Sequence, residues 1–157
     1  MTKRTFKALG ERTVMGFDFG TKSIGIAIGQ ELTGTASSLQ AVKAKDGIPD
    51  WQLIKKQVDE WQPDLMVVGL PLNMDDSESE LSQLSRKFAQ RLKEHLKMDV
   101  IMMDERLTSR EIKTSLIEEA NLSRGRRKAI DASKIDHLAA ALILQNWLDN
   151  PHLGQPI

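Results

Sequence analysis

Asp18 stands inside the apolar run Val14-Met15-Gly16-Phe17-Asp18-Phe19-Gly20, a pattern that reads as a buried strand. Burying an unpaired carboxylate costs several kcal/mol, so such a group is paired, neutralised or bound to a metal. Two further acidic positions share this character. Asp104-Glu105 closes the apolar run Val100-Ile101-Met102-Met103, and Asp136 lies within the apolar stripe of the last helical segment. The three histidines, His95, His137 and His152, are scattered, and there is no cysteine. Carboxylates from separate elements, without nitrogen or sulfur ligands, suit a hard cation such as Mg2+ or Mn2+. Two such ions held about 3.5–4 Å apart can activate a water and stabilise the leaving oxygen in phosphodiester hydrolysis.

Each acid also has a structural alternative. Asp18 could pair with Lys22, Asp104 or Glu105 with Arg106 or Arg110, and Asp136 could serve as a capping acid beside Ser133. His137 adjoins Asp136 and is a further candidate for the site.

Basic side chains gather around and after these acids: Lys22, Arg106, Arg110, Lys113, Arg124, Arg126, Arg127, Lys128 and Lys134. A charge run is by default a solvated loop. Beside a carboxylate cluster it fits the phosphates of a nucleic-acid backbone. The formal net charge is zero, from 22 basic and 22 acidic residues, so any such binding must come from local patches. With 4% aromatic residues and no tyrosine, base stacking is not expected to dominate recognition. Trp51, Trp61 and Trp147 all fit the core faces of helices.

The elements that position these groups follow from hydrophobic period and turn chemistry. The run ending at Asp18 and the run Ile24–Gly29 form a hairpin whose tip, Gly20-Thr21-Lys22-Ser23, is polar and basic. Thr35 to Val42 is expected as a third strand. Gly47-Ile48-Pro49-Asp50 reads as a turn leading into a helix marked by Trp51, Ile54, Val58 and Trp61 and ended by Pro63. Leu65–Gly69 is a short buried strand and 70–77 a loop. Ser77 with Glu80 resembles a capping box for a helix striped by Leu81, Leu84, Phe88 and Leu92. Val100–Met103 is a fifth strand. Thr108 with Glu111 would cap a helix carrying Ile112, Leu116 and Ala120. The stretch 121–131 is a polar, basic loop. Ile135, Leu138, Ala139, Leu142 and Ile143 mark a last helix that stops before Pro151.

Three strands followed by alternating helices and strands predict an α/β fold, a mixed sheet with helices on its faces. The 157 residues suffice for one domain, expected over 13–149, with a flexible arm at 1–12 and a tail at 150–157. No apolar run approaches the length of a membrane span. The absence of cysteine fits a reducing, cytoplasmic setting.

Gly16-Phe17-Asp18-Phe19-Gly20-Thr21-Lys22-Ser23-Ile24-Gly25, Gly69-Leu70-Pro71-Leu72-Asn73-Met74-Asp75, Asp104-Glu105-Arg106-Leu107-Thr108-Ser109 and Lys134-Ile135-Asp136, in this order, resemble the motifs of the YqgF (RuvX) family. The resemblance spans residues 14 to 148. It implies an RNase H-like fold with a mixed five-stranded sheet, its first three strands antiparallel and its helices on both faces. It also implies convergence of Asp18, Glu105 and Asp136 as a metal-binding catalytic triad.

Lys22, Asn73, Arg106, Arg110, Arg124, Arg126 and Arg127 are then expected to hold phosphates. Resolvases of this fold carry an acid at the end of strand four, where this chain reads Val68-Gly69-Leu70-Pro71. Glu105 from strand five would supply the missing group.

The function implied is a metal-dependent nuclease maturing the 5′ end of the precursor of 16S ribosomal RNA. The alternatives are a Holliday-junction resolvase and a non-catalytic ribosomal RNA-binding factor. The partners implied are precursor RNA or branched DNA, with a pre-ribosomal particle as a further candidate. No membrane is involved, and the chain is expected as a monomer or weak homodimer.

Overall fold

The computed structural model describes residues 6–73, 75–105 and 138–157. Strand β1 (Thr13–Asp18) runs antiparallel to β2 (Ser23–Gln30), and β2 antiparallel to β3 (Thr35–Lys45). Two-residue strand β4 (Ile48–Pro49) folds back on β3. After helix α1 (Trp51–Trp61), β5 (Leu65–Leu70) pairs parallel with β1. Helix α2 (Glu80–Leu96) leads to β6 (Val100–Asp104), which pairs parallel with β5. Helix α3 (Ala139–Asp149) and a 3-10 turn (Pro151–Leu153) precede β7 (Gln155–Pro156), antiparallel to β6. The sheet order is β4-β3-β2-β1-β5-β6-β7.

Among the described residues the sheet therefore has seven strands, where five were expected. The five central ones are those predicted. The additions are two-residue edges, too short to carry a periodic signal. One of them has a local cause. Asp46 and Gly47 both adopt positive φ, at 52° and 80°, between paired Lys45 and Ile48. A two-residue Asp-Gly loop of this kind matches the twist of a hairpin. The second arises because the C-terminal residues, which carried no signal, cover the open edge of β6.

Side chains alternate across the sheet and build two cores. Met15, Phe17, Met66, Val68 and Met102 pack with Ile54, Val58, Phe88 and Leu92 of α1 and α2. Val14, Val67 and Met103 pack with Ala140, Ile143, Leu144 and Trp147 of α3. Helix α3 lies close on the sheet because Gly16 has no side chain: a Cβ there would meet Leu144 Cβ at 2.8 Å. Gln145 fastens the same helix to β3, accepting from Ala36 N (3.1 Å) and donating to Gly34 O (2.8 Å).

Helix α1 starts at Asp50, whose carboxylate accepts from Gln52 N, and ends at left-handed Gln62. The cap of α2 is Ser79 with Ser82, two residues past the expected Ser77–Glu80 pair. Ser77 instead closes a small loop, where Leu72 bridges Glu78. Trp147 is buried and Trp51 half-buried, but Trp61 is 41% exposed at the end of α1, contrary to its expected core position. Residues 7–12, expected as part of a flexible arm, are tied to the sheet. Lys7 N donates to Asp64, and Arg12 pairs with Glu31 at 2.8 Å.

Candidate active site

The alternation that sorts the two cores also sorts the acids. Val14 and Gly16 face α3, so Asp18 at the end of β1 faces it too. A Cβ on Gly25, the partner of Asp18 in register, would lie 3.5 Å from Asp18 Cβ and 3.6 Å from Ala140 Cβ. The carboxylate thus projects beneath the first turn of α3. On β6, Met102 belongs to the α1–α2 core and Met103 to the α3 core. Glu105, one residue past the end of β6, returns to the α3 side with Met103. The structure brings Asp18 and Glu105 together: protonated Glu105 donates a hydrogen bond to Asp18.

Burial, then the nearby charge of Asp18, that hydrogen bond and the charge of Asp104 push the Glu105 carboxyl up to about 8. Two half-buried carboxyl groups in contact cannot both ionise cheaply without a compensating positive charge. That is a donor set suited to a hard divalent cation. Among the described residues no group of three or more His, Cys, Asp or Glu is arranged to hold a metal. Asp18 and Glu105 supply two carboxylates, and the third predicted member, Asp136, lies outside the described residues.

The strand between these two acids is β5, and Gly69 on it faces their side. A Cβ at Gly69 would sit 2.5 Å from Glu105 Oε1, 3.0 Å from its Cγ and 2.5 Å from Ile143 Cδ1. Sequence reasoning noted the missing acid at this place but not that the missing side chain leaves the path of Glu105 open.

Lys22 lies on the exposed tip between β1 and β2. Its backbone is held from the β3–β4 hairpin: Ala44 N donates to Lys22 O, and Gly47 N to Thr21 O, each at 2.9 Å. The Asp-Gly dipeptide was the sequence signal for that brace. Asn73 is exposed in the loop after β5, its Nδ2 donating to Ser77 Oγ at 2.9 Å and its backbone N to Ser77 O. Ser82 Oγ donates to Pro71 O and anchors that loop to α2. Arg106, Arg110, Arg124, Arg126, Arg127, His137 and the Thr108–Glu111 helix lie outside the described residues. No described helix is long and apolar enough to cross a membrane.

The family described as RuvX: Holliday junction resolvase matches residues 12–150. A protein of Pseudoalteromonas translucida named as a candidate pre-16S rRNA nuclease is 55% identical over 152 residues, covering 97% of this chain and 99% of its own. One of Haemophilus ducreyi with the same name is 54% identical over 138 residues, covering 88% and 96%. Among solved structures, Thermus thermophilus RuvC with a Holliday junction substrate superposes with a TM-score of 0.58 at 16% identity, over 92% of this chain and 99% of the other. The yeast mitochondrial Holliday junction resolvase gives 0.51 at 12% identity, over 86% and 77%. These likenesses establish the RNase H-like fold of the resolvases.

Proposed function

This chain belongs to the RuvX family of Holliday junction resolvases, and from that premise we propose that it is a divalent-metal-dependent nuclease hydrolysing phosphodiester bonds of the 16S ribosomal RNA precursor. The choice of RNA follows the relatives at 50% identity and above that carry that description. The observation that supports a catalytic role is the contact of Glu105 with Asp18 beside the first turn of α3.

In this reading Asp18 and Glu105, completed by Asp136, hold the cation, which when bound supplies Lewis acidity for an attacking water and for the leaving oxygen. Lys22, on a tip braced by two backbone hydrogen bonds, binds a phosphate beside the scissile bond. Asn73, on the loop anchored through Ser82, borders the same end of the sheet. Arg106, Arg110, Arg124, Arg126 and Arg127 contribute affinity through the phosphate backbone. Pre-oriented charges of this sort stabilise the pentacoordinate phosphorus more than the ground state.

A second reading, cleavage of a four-way DNA junction, is favoured by the family description. Both substrates are to be offered to the intact protein and to Asp18→Asn, with and without Mg2+. Mg2+-dependent cleavage of the RNA at its 5′ boundary, lost in Asp18→Asn, is the expected result. Cleavage of the junction alone would move the assignment to the second reading. Binding without cleavage of either would make the protein a ribosomal RNA-binding factor.

A further inference from the structure

Asp18 ends β1 and Glu105 follows β6, with β5 between them. Strands two places apart are separated by roughly 9–10 Å. The two carboxyl groups meet only if one side chain crosses the face of β5. The crossing point is Gly69, which pairs with Met103 of β6. Its own Cβ would fall 2.5 Å from Glu105 Oε1, closer than a methyl group approaches an oxygen, and 3.0 Å from Glu105 Cγ, a tight contact. Gly69 carries no positive φ, so backbone freedom is not the reason for a glycine here. The reason is space.

We infer that Gly69 is a positioning residue whose missing side chain forms the channel through which Glu105 reaches Asp18, and that cation binding at this pair depends on it. The inference rests on the carboxylate-site reading above and deepens it. Any side chain at position 69 turns Glu105 away. Substitution therefore weakens the metal site through Glu105, without touching the metal itself.

The test is a double-mutant cycle on Mn2+ affinity, measured by calorimetry on the full-length protein. Gly69→Ala is expected to weaken Mn2+ binding about 10–100-fold, the range seen when the support of a ligand is lost. Glu105→Ala should cost a similar factor. In the Glu105→Ala background Gly69→Ala should cost nothing more, because the effect passes through Glu105.

Ile143 Cδ1 also meets the new methyl group, so the cycle is repeated with Ile143→Val, which deletes that atom. The loss should persist while the thermal midpoint recovers. Gly29→Ala serves as a packing control. Its Cβ would crowd Leu144 and Leu148 at 3.0 Å under the same helix, and Mn2+ affinity should hold.

Unchanged affinity in Gly69→Ala, or an equal loss in the Glu105→Ala background, overturns the inference. Full Mn2+ affinity in Glu105→Ala alone would instead sink the site reading on which it rests.

Discussion

Glu105 reaches across an intervening strand to hydrogen-bond Asp18, passing over Gly69. The contact joins the ends of β1 and β6 and raises the carboxyl of Glu105 to about 8. Its neighbours and its protonation set the behaviour expected of the site.

Asp18→Asn should keep the fold and abolish cleavage. The amide is nearly isosteric, so its place opposite Gly25 on β2 is kept, while the charge needed for a cation is lost. The drop in rate is expected to exceed about a hundredfold, comparable to removing a central electrostatic group. In metal-free buffer the variant should be about as stable as the parent, because the lost hydrogen bond from Glu105 is offset by no longer desolvating a half-buried charge. Single-turnover cleavage and urea unfolding check both halves, and parental cleavage by the Asn variant would remove Asp18 from the mechanism.

Stability without metal should fall as pH rises from about 5 to 8. Glu105 has its carboxyl raised from 4.5 to about 8 in the folded state. The fold therefore prefers the protonated acid. The contribution is full below the unfolded value of 4.5 and is lost as pH climbs through the folded value. At roughly 1.4 kcal/mol per unit, the window is worth a few kcal/mol at most. Glu105→Gln should flatten the pH dependence, and Mg2+ should stabilise the parent more at pH 8 than at pH 5.5. Urea titrations of both proteins at the two pH values measure it. Identical slopes with pH would contradict the assignment.

Glu105→Gln should reduce cleavage more than Asp104→Asn. Glu105 shares the α3 side of the sheet with Asp18, while Asp104 follows the alternation of Met102 and Met103 to the other. Rates at saturating Mg2+ decide between them, and a larger loss in Asp104→Asn would reverse the roles.

Gly47→Ala should destabilise the protein by about 1–2 kcal/mol. Gly47 has φ of 80°, and its Cβ would meet Phe19 Cζ at 3.0 Å. Because Gly47 N also donates to Thr21 O, substrate affinity should weaken through the tip that carries Lys22. Chemical denaturation gives the first effect and binding in Ca2+, which withholds cleavage, the second.

Neutralising Arg124, Arg126 and Arg127 together should weaken binding and leave single-turnover cleavage at saturating substrate nearly unchanged. Three lost phosphate contacts should flatten the slope of log affinity against log salt by about two to three units. Titration over a range of salt, with Ca2+ in place of Mg2+, reads the slope directly. An unchanged slope would assign the run to a solvated surface.

The local pattern determined much of this protein. Apolar runs placed β1, β2 and β6. Helical spacing placed Ile54, Val58, Phe88 and Leu92 in the core, though it also claimed the exposed Leu81 and Trp61. The apolar surroundings of Asp18 marked it as a carboxylate in need of a partner. These are properties of neighbours in the chain, so the period of the pattern suffices to read them. The tertiary structure decided the rest. Ser79 rather than Ser77 caps α2 because the loop before it closes on itself through Leu72 and Glu78. Trp61 is exposed because α1 ends there and the chain turns away at Gln62. The short edges β4 and β7 exist because β3 and β6 offered unpaired backbone. The meeting of Glu105 with Asp18 depends on strand order, on register between parallel neighbours and on an absent side chain at Gly69. Those relations arise between segments far apart in the chain, and no period within one segment encodes them.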